Sequence, residues 1–266
     1  MKSYNTVYYL LTVLLIMGGF ASMAQNSYGL SIISAVCMAF GLIFFVQFFQ
    51  ALRSNVPNKT EQAIEFFALF ILAFIFTLRT LQIYLPYIEW LFVAAAITLA
   101  LNYLTRLRHW FRLINLKNKT LATLILIAYL SIVLFCIAMV EITFKPQIAR
   151  WTGGLALFLV FVFLLSGLFK SHFVIDGESK SAFVIIAGFK DRLYLLLSLF
   201  IIFSLYFGLS SANILPKLYS NKFPQAYFEL VNNAESGREK PEGGEFKYQE
   251  FKKSYDQFVE RNIKKD

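Results

Sequence analysis

A guanidinium in surroundings of low dielectric attracts carboxylates, phosphates and other anions, and Arg79 follows directly on the uncharged run Phe66 to Leu78. Counted from Ala63 at 1.5 Å per residue, Arg79 stands about 24 Å up a helix, near its outer end rather than at its centre. A central Arg costs about 2.5 to 3.5 kcal/mol on insertion scales, and less toward an interface that its side chain can reach. Glu89 and Glu141 are expected at a similar height and are its candidate partners in an intramembrane ion pair. Such a pair is either a clasp between helices or an anion-attracting or proton-linked site open to the outside.

Gln47, Gln50, Glu65 and Asn102 form a second candidate set, a polar cluster at the opposite ends of the second, third and fourth apolar runs. Amides at that depth act as interhelical glue or line a cavity. A third set lies between Arg106 and Lys119, where Arg106, Arg108, Arg112, Lys117 and Lys119 alternate with Leu107, Trp110, Phe111 and other apolar residues. Basic and aromatic residues mixed in this way suit a loop along an anionic leaflet, with the rings at headgroup level.

Other chemistry is poorly represented. The two histidines, His109 and His172, fall near helix ends, and the chain has no HExxH, no GxSxG and no glycine loop for phosphate. Cys37 and Cys136 sit inside apolar runs, where a thiol behaves as a small hydrophobe; they suggest neither a disulfide nor a metal site. No cofactor is expected. Asp176, Glu178, Asp191 and His172 are the only acids and histidine that an interfacial lipid enzyme could draw on.

The elements that must carry these residues are set by composition. Apolar residues make up 58% of the chain and charged ones 15%, against about 25% charged in a soluble domain. The sequence predicts an all-α fold: a polytopic transmembrane helical bundle of about seven spans with a short helical soluble tail. The spans are expected near 4–24, 30–52, 63–85, 87–105, 121–140, 152–169 and 193–215, with the tail over 216–266. Lys2, the run Val7 to Phe20 and Ser22-Met23-Ala24 also fit a secretory leader. A single basic residue and a direct run into the next span favour an uncleaved helix. Residues 63–105 are either two full spans or a re-entrant pair, and 172–192 either a hairpin or an interfacial segment. Gly18, Gly19, Ser22, Ser31, Ala35, Ala39, Gly153 and Gly154 offer small faces for close helix packing.

Net charge is +9, and the first 216 residues hold fifteen basic and seven acidic side chains. Lys and Arg retained on cytoplasmic loops explain that excess without nucleic acid. With the N-terminus inside, twelve basic residues fall on inside segments and five outside or beside the last helix. The tail is then outside, and a bacterial inner membrane is the expected location. In the tail, Tyr248, Phe251, Tyr255 and Phe258 recur at helical spacing and make a candidate docking face. The expected partners are the lipid bilayer, anionic lipid headgroups and other membrane or periplasmic proteins. A non-enzymatic scaffold or accessory subunit is the reading these features favour, with a transporter or channel for a small solute or ion as the alternative.

Overall fold

A computed structural model describes residues 4–23, 28–54, 59–81, 83, 85, 87–116, 118–169, 173–175, 178–187, 189 and 192–211. Eight helices account for most of them: α1 (Asn5–Met23), α2 (Tyr28–Arg53), α3 (Lys59–Thr80), α4 (Ile88–Asn115), α5 (Lys119–Phe144), α6 (Pro146–Phe169), α7 (Ala182–Ala187) and α8 (Leu193–Ser211). Among the described residues, α2 to α6 are each long and apolar enough to cross a membrane, and α1 and α8 are shorter apolar helices. Such segments close every interior backbone hydrogen bond on themselves, as an apolar solvent requires. Their outer faces carry apolar side chains too: Trp151, Phe158 and Phe161 on α6 are all exposed. This is the surface of a protein whose surroundings are themselves apolar.

Helices α1 to α5 each pack against the next in sequence, and α8 returns to lie against both α5 and α1, while α6 leans on α5. The turns follow local chemistry. Asn118 caps α5 by accepting a 3.1 Å hydrogen bond from the Leu121 N–H. A single residue, Lys145, separates α5 from α6, because Pro146 has no N–H to lose at the first position of a helix. Tyr87, ahead of α4, holds a left-handed backbone at φ 62° that a side chain adopts only at some cost.

One expected loop needs amendment, and two open alternatives are resolved. The region 63–105 is two full-length helices rather than a re-entrant pair, and α3 starts at Lys59 and ends at Thr80. The stretch from Arg106, expected as a loop, continues α4 as far as Asn115, so Arg106, Arg108, Trp110 and Arg112 are helical. Of the two alternatives for 172–192, the segment after α6 takes the hairpin, followed by the short helix α7. The hairpin is small and antiparallel, β1 (Phe173–Ile175) and β2 (Glu178–Lys180), and in it Phe173 pairs with Lys180 and Ile175 with Glu178.

That segment is docked onto the bundle. Phe173 is buried, the Tyr194 hydroxyl donates to the Phe183 carbonyl at 2.9 Å, and Phe189 stacks on Trp110 with 3.9 Å between ring centroids. The predicted tail, 216–266, and Lys117 lie outside the described residues.

The adjacent glycines of α1 differ in their surroundings. A Cβ on Gly18 would lie 2.9 Å from Ile33 Cγ1 and 3.3 Å from the Gly29 carbonyl oxygen, whereas one on Gly19 would meet nothing within 4 Å. Gly18 is therefore a point of close approach between α1 and α2. Gly18→Val is expected to part the two helices and to cost about 1 to 3 kcal/mol, read as a lower unfolding temperature in detergent. Gly19→Ala should leave that temperature nearly unchanged.

Candidate functional site

One end of the bundle collects the buried charged and amide side chains among the described residues, Gln47, Glu65, Asn102 and Arg106. The C-terminal turns of α2 and α4 and the first turns of α1, α3 and α8 meet there, and the basic residues Arg53, Arg106, Arg108, Arg112 and Arg192 belong to the same end. Two linked groups form it.

In the first group, Glu65 on α3 has no exposed surface, and its Oε2 lies 2.8 Å from Arg106 Nη2 on α4. The Tyr103 hydroxyl donates to Oε1 at 2.7 Å, so Oε1 is held by an aligned hydrogen bond and Oε2 by an ion pair. Arg106 also faces Glu61 at 3.8 Å, and its guanidinium lies over the Tyr103 ring. Asn102, one turn before Arg106, donates to the Glu61 carbonyl at 2.7 Å. Helices α3 and α4 are thus tied through side chains spaced by four residues on each, Glu61 with Glu65 and Asn102 with Arg106.

In the second group, the Tyr8 hydroxyl donates to Gln47 Oε1 at 2.6 Å, and one turn further out Gln50 Nε2 donates to the Tyr4 hydroxyl at 3.0 Å. The Arg192 side chain reaches the same Tyr8 hydroxyl, and its guanidinium carbon stands 4.0 Å from the centre of the Phe66 ring. Tyr8 also packs on Phe40 and Phe44.

Directly above this floor is an apolar chamber of about 260 Å³ between α1, α2, α3 and α8. Phe44, Leu69 and Leu196 close its lower end and are buried, whereas Phe20 and Leu205 at its upper end are more than half exposed. Each of the three lower residues lies three or four positions along its helix from a polar one: Gln47, Glu65 and Arg192.

The members of the predicted polar cluster, Gln47, Gln50, Glu65 and Asn102, all lie at this end, Glu65 and Asn102 in the first group and Gln47 and Gln50 in the second. Sequence reasoning missed Tyr4, Tyr8, Tyr103 and Arg192, and placed Arg106 on the membrane surface when its side chain is buried. One signal was available: a carboxylate at the depth of Glu65 requires a cation at the same height, and Arg106 lies four residues past Asn102 on the returning helix. Of the residues assigned to a lipid-surface loop, Arg108, Arg112 and Lys119 are exposed, and Trp110 is half-buried against Phe189.

The second predicted set makes no contact ion pair among the described residues. The Arg79 guanidinium lies 4.9 Å from the centre of the Phe92 ring, a cation–π contact. The charge of Glu89 acts on it from a distance, and no contact ion pair joins Arg79 to Glu89 or Glu141 among the described residues. Glu141 Oε2 is buried without a hydrogen-bond partner. The pairing expected from helix heights fails because the planar guanidinium turns toward the aromatic face beside it. The residues Tyr248, Phe251, Tyr255 and Phe258 lie outside the described residues.

Among the described residues no group of three or more His, Cys, Asp or Glu side chains could hold a metal ion. The buried pair of α3 and α4 has a clear energetic signature. Arg106→Met strands the Glu65 carboxylate in the interior and should lower stability by about 3 kcal/mol or more. Combining it with Glu65→Met, which removes the charge as well as its partner, should recover most of that loss. Thermal unfolding of the single and double variants in one detergent checks both halves. No family model, curated protein or solved structure matches the chain, so similarity to known proteins assigns it neither a family nor an activity.

Proposed function

We propose that the chain is a seven-span protein of a bacterial inner membrane that serves as a non-enzymatic scaffold or accessory subunit of a membrane assembly. In this reading α1 to α6 and α8 cross the bilayer, the N-terminus is cytoplasmic and the tail lies outside. The observation that carries it is the use made of the buried acid. Both oxygens of Glu65 are engaged by Arg106 and Tyr103, so the carboxylate ties helices together rather than standing ready for a substrate. That no contact ion pair joins Arg79 to Glu89 or Glu141 among the described residues counts in the same direction.

Two surfaces are left for partners. Arg108, Arg112 and Lys119 are exposed at the basic end, where each contributes about 1 kcal/mol toward an anionic leaflet. The aromatic stripe Tyr248, Phe251, Tyr255 and Phe258 presents a face for another membrane or periplasmic protein.

Crosslinking in intact membranes, followed by purification in mild detergent, tests the assignment. A partner recovered in fixed proportion to the chain is expected; a lone monomer with no crosslinked neighbour sinks the idea, and solute uptake by reconstituted liposomes would move the chain to the transporters. Replacing Phe251 and Phe258 together by Ala is expected to release the partner while membrane insertion is unchanged. A reporter enzyme active only outside the cytoplasm should work when fused after Asp266 and fail when fused before Met1.

A further inference from the structure

Two buried donors at the basic end have no acceptor among the described residues: Gln47 Nε2, on a side chain with no exposed surface, and Arg192 Nε. They are neighbours, because both side chains meet at the Tyr8 hydroxyl. A buried N–H without an acceptor costs free energy that a suitable oxygen recovers. Charge points the same way. Arg106 holds the fully buried carboxylate, Glu65, and Glu61 beside it is half exposed. Arg192 makes no contact ion pair among the described residues, and the Glu65 charge, which also acts on the Tyr8 hydroxyl, is already neutralised by Arg106. Helix α8 begins at Leu193, so the positive end of its dipole adds to the charge of Arg192.

We propose that Tyr8, Gln47 and Arg192 form a binding site for a phosphate group. The free donors, Gln47 Nε2 and Arg192 Nε, arrive from α2 and from the residue preceding α8, while the Tyr8 hydroxyl of α1, whose proton goes to Gln47 Oε1, holds the two side chains together; a phosphate has several oxygens with which to meet such donors. The phosphate has two sources, a lipid headgroup or the free anion. The chamber next to the site suits the first. Its wall includes Phe44, whose ring is 6.0 Å from that of Tyr8. Along α8 it runs from Leu196 to Leu209, about 20 Å at 1.5 Å per residue, a slot in which a hydrocarbon chain attached to the phosphate would lie. The site is independent of the scaffold reading and would stand if no protein partner existed.

The test uses the full chain, purified in a neutral detergent and stripped of lipid, with its thermal unfolding followed as probes are added. The probes are inorganic phosphate, phosphatidic acid in mixed micelles, and a neutral diacylglycerol in the same micelles. Phosphatidic acid is expected to raise the unfolding temperature, and diacylglycerol, which has the chains without the phosphate, is not. Arg192→Gln and Gln47→Leu should each raise the concentration needed for half the effect by about tenfold. Gln47→Leu changes no charge, so its effect separates this site from general attraction to the basic end, and Arg150→Gln, exposed at the opposite end of the bundle, should leave the concentration unchanged.

An equal rise with inorganic phosphate assigns the free anion as the source, and a rise with phosphatidic acid alone assigns the lipid. If Arg192→Gln does not fold, Arg192→Lys, which keeps the charge but loses the planar fork, replaces it and should weaken the response less. The proposal is overturned if neither phosphate probe shifts the wild-type protein, or if folded variants at Arg192 and Gln47 respond as the wild type does.

Discussion

An interior as apolar as this one offers a buried polar group nothing but other polar groups of the same chain. That constraint decides how the helices meet. Apolar side chains pack in many relative positions at similar energy, and helices that are apolar on every side gain little direction from burial. Glu65 has no such freedom. Its two oxygens must find Arg106 and Tyr103, and they do so at 2.8 and 2.7 Å. Those distances fix the height of α3 against α4 to within a fraction of a turn. Tyr8 with Gln47, and Tyr4 with Gln50, do the same for α1 against α2. Arg192 brings the start of α8 to the same point.

Composition and run length made the helical architecture legible, because long uncharged stretches admit few alternatives. The least accurate boundary was the end of α4, and the reason is physical. A reading by hydropathy ends a helix where charge begins, at Arg106, but a helix ends only where its backbone hydrogen bonds do. Arg106 continues the helix because Glu61 and Glu65, on the neighbouring helix, neutralise it. That partnership joins residues about forty positions apart, and no local pattern contains it. The polar cluster was partly legible for the opposite reason: Gln47 and Gln50, or Glu65 and Asn102, interrupt apolar runs at levels that can be counted from the helix ends. Tyr4, Tyr8 and Tyr103 were missed because a tyrosine in an apolar run reads as one more hydrophobe until its hydroxyl has a partner.

Arg79 teaches the complementary lesson. Its height was legible, and height suggested Glu89 and Glu141 as partners. Height fixes one coordinate of three, however, and the direction in which a side chain leaves its helix fixes the other two. The Arg79 side chain leaves toward Phe92, whose face accepts a cation, while Glu89 acts on it only through its field. Gly18 and Gly19 make the same point without charge. They are adjacent in sequence and alike in composition, yet one is pressed against α2 and the other faces open space.

The bundle is consequently uneven from end to end. At the basic end, polar contacts with narrow limits of distance and angle bind α1 to α2 and α3 to α4, and draw α8 in beside them. Toward the other end, α1, α2, α3 and α8 surround the chamber through contacts that are almost wholly apolar, such as Phe76 with Phe203. Dispersion contacts change gradually with distance, whereas a buried ion pair that is pulled apart leaves two charges unsolvated. A change in the spacing of these four helices therefore costs least around the chamber and most at the polar floor. Whatever volume the chamber gains or loses, the floor on which Tyr8, Gln47 and Arg192 converge is the part of the structure that stays in place.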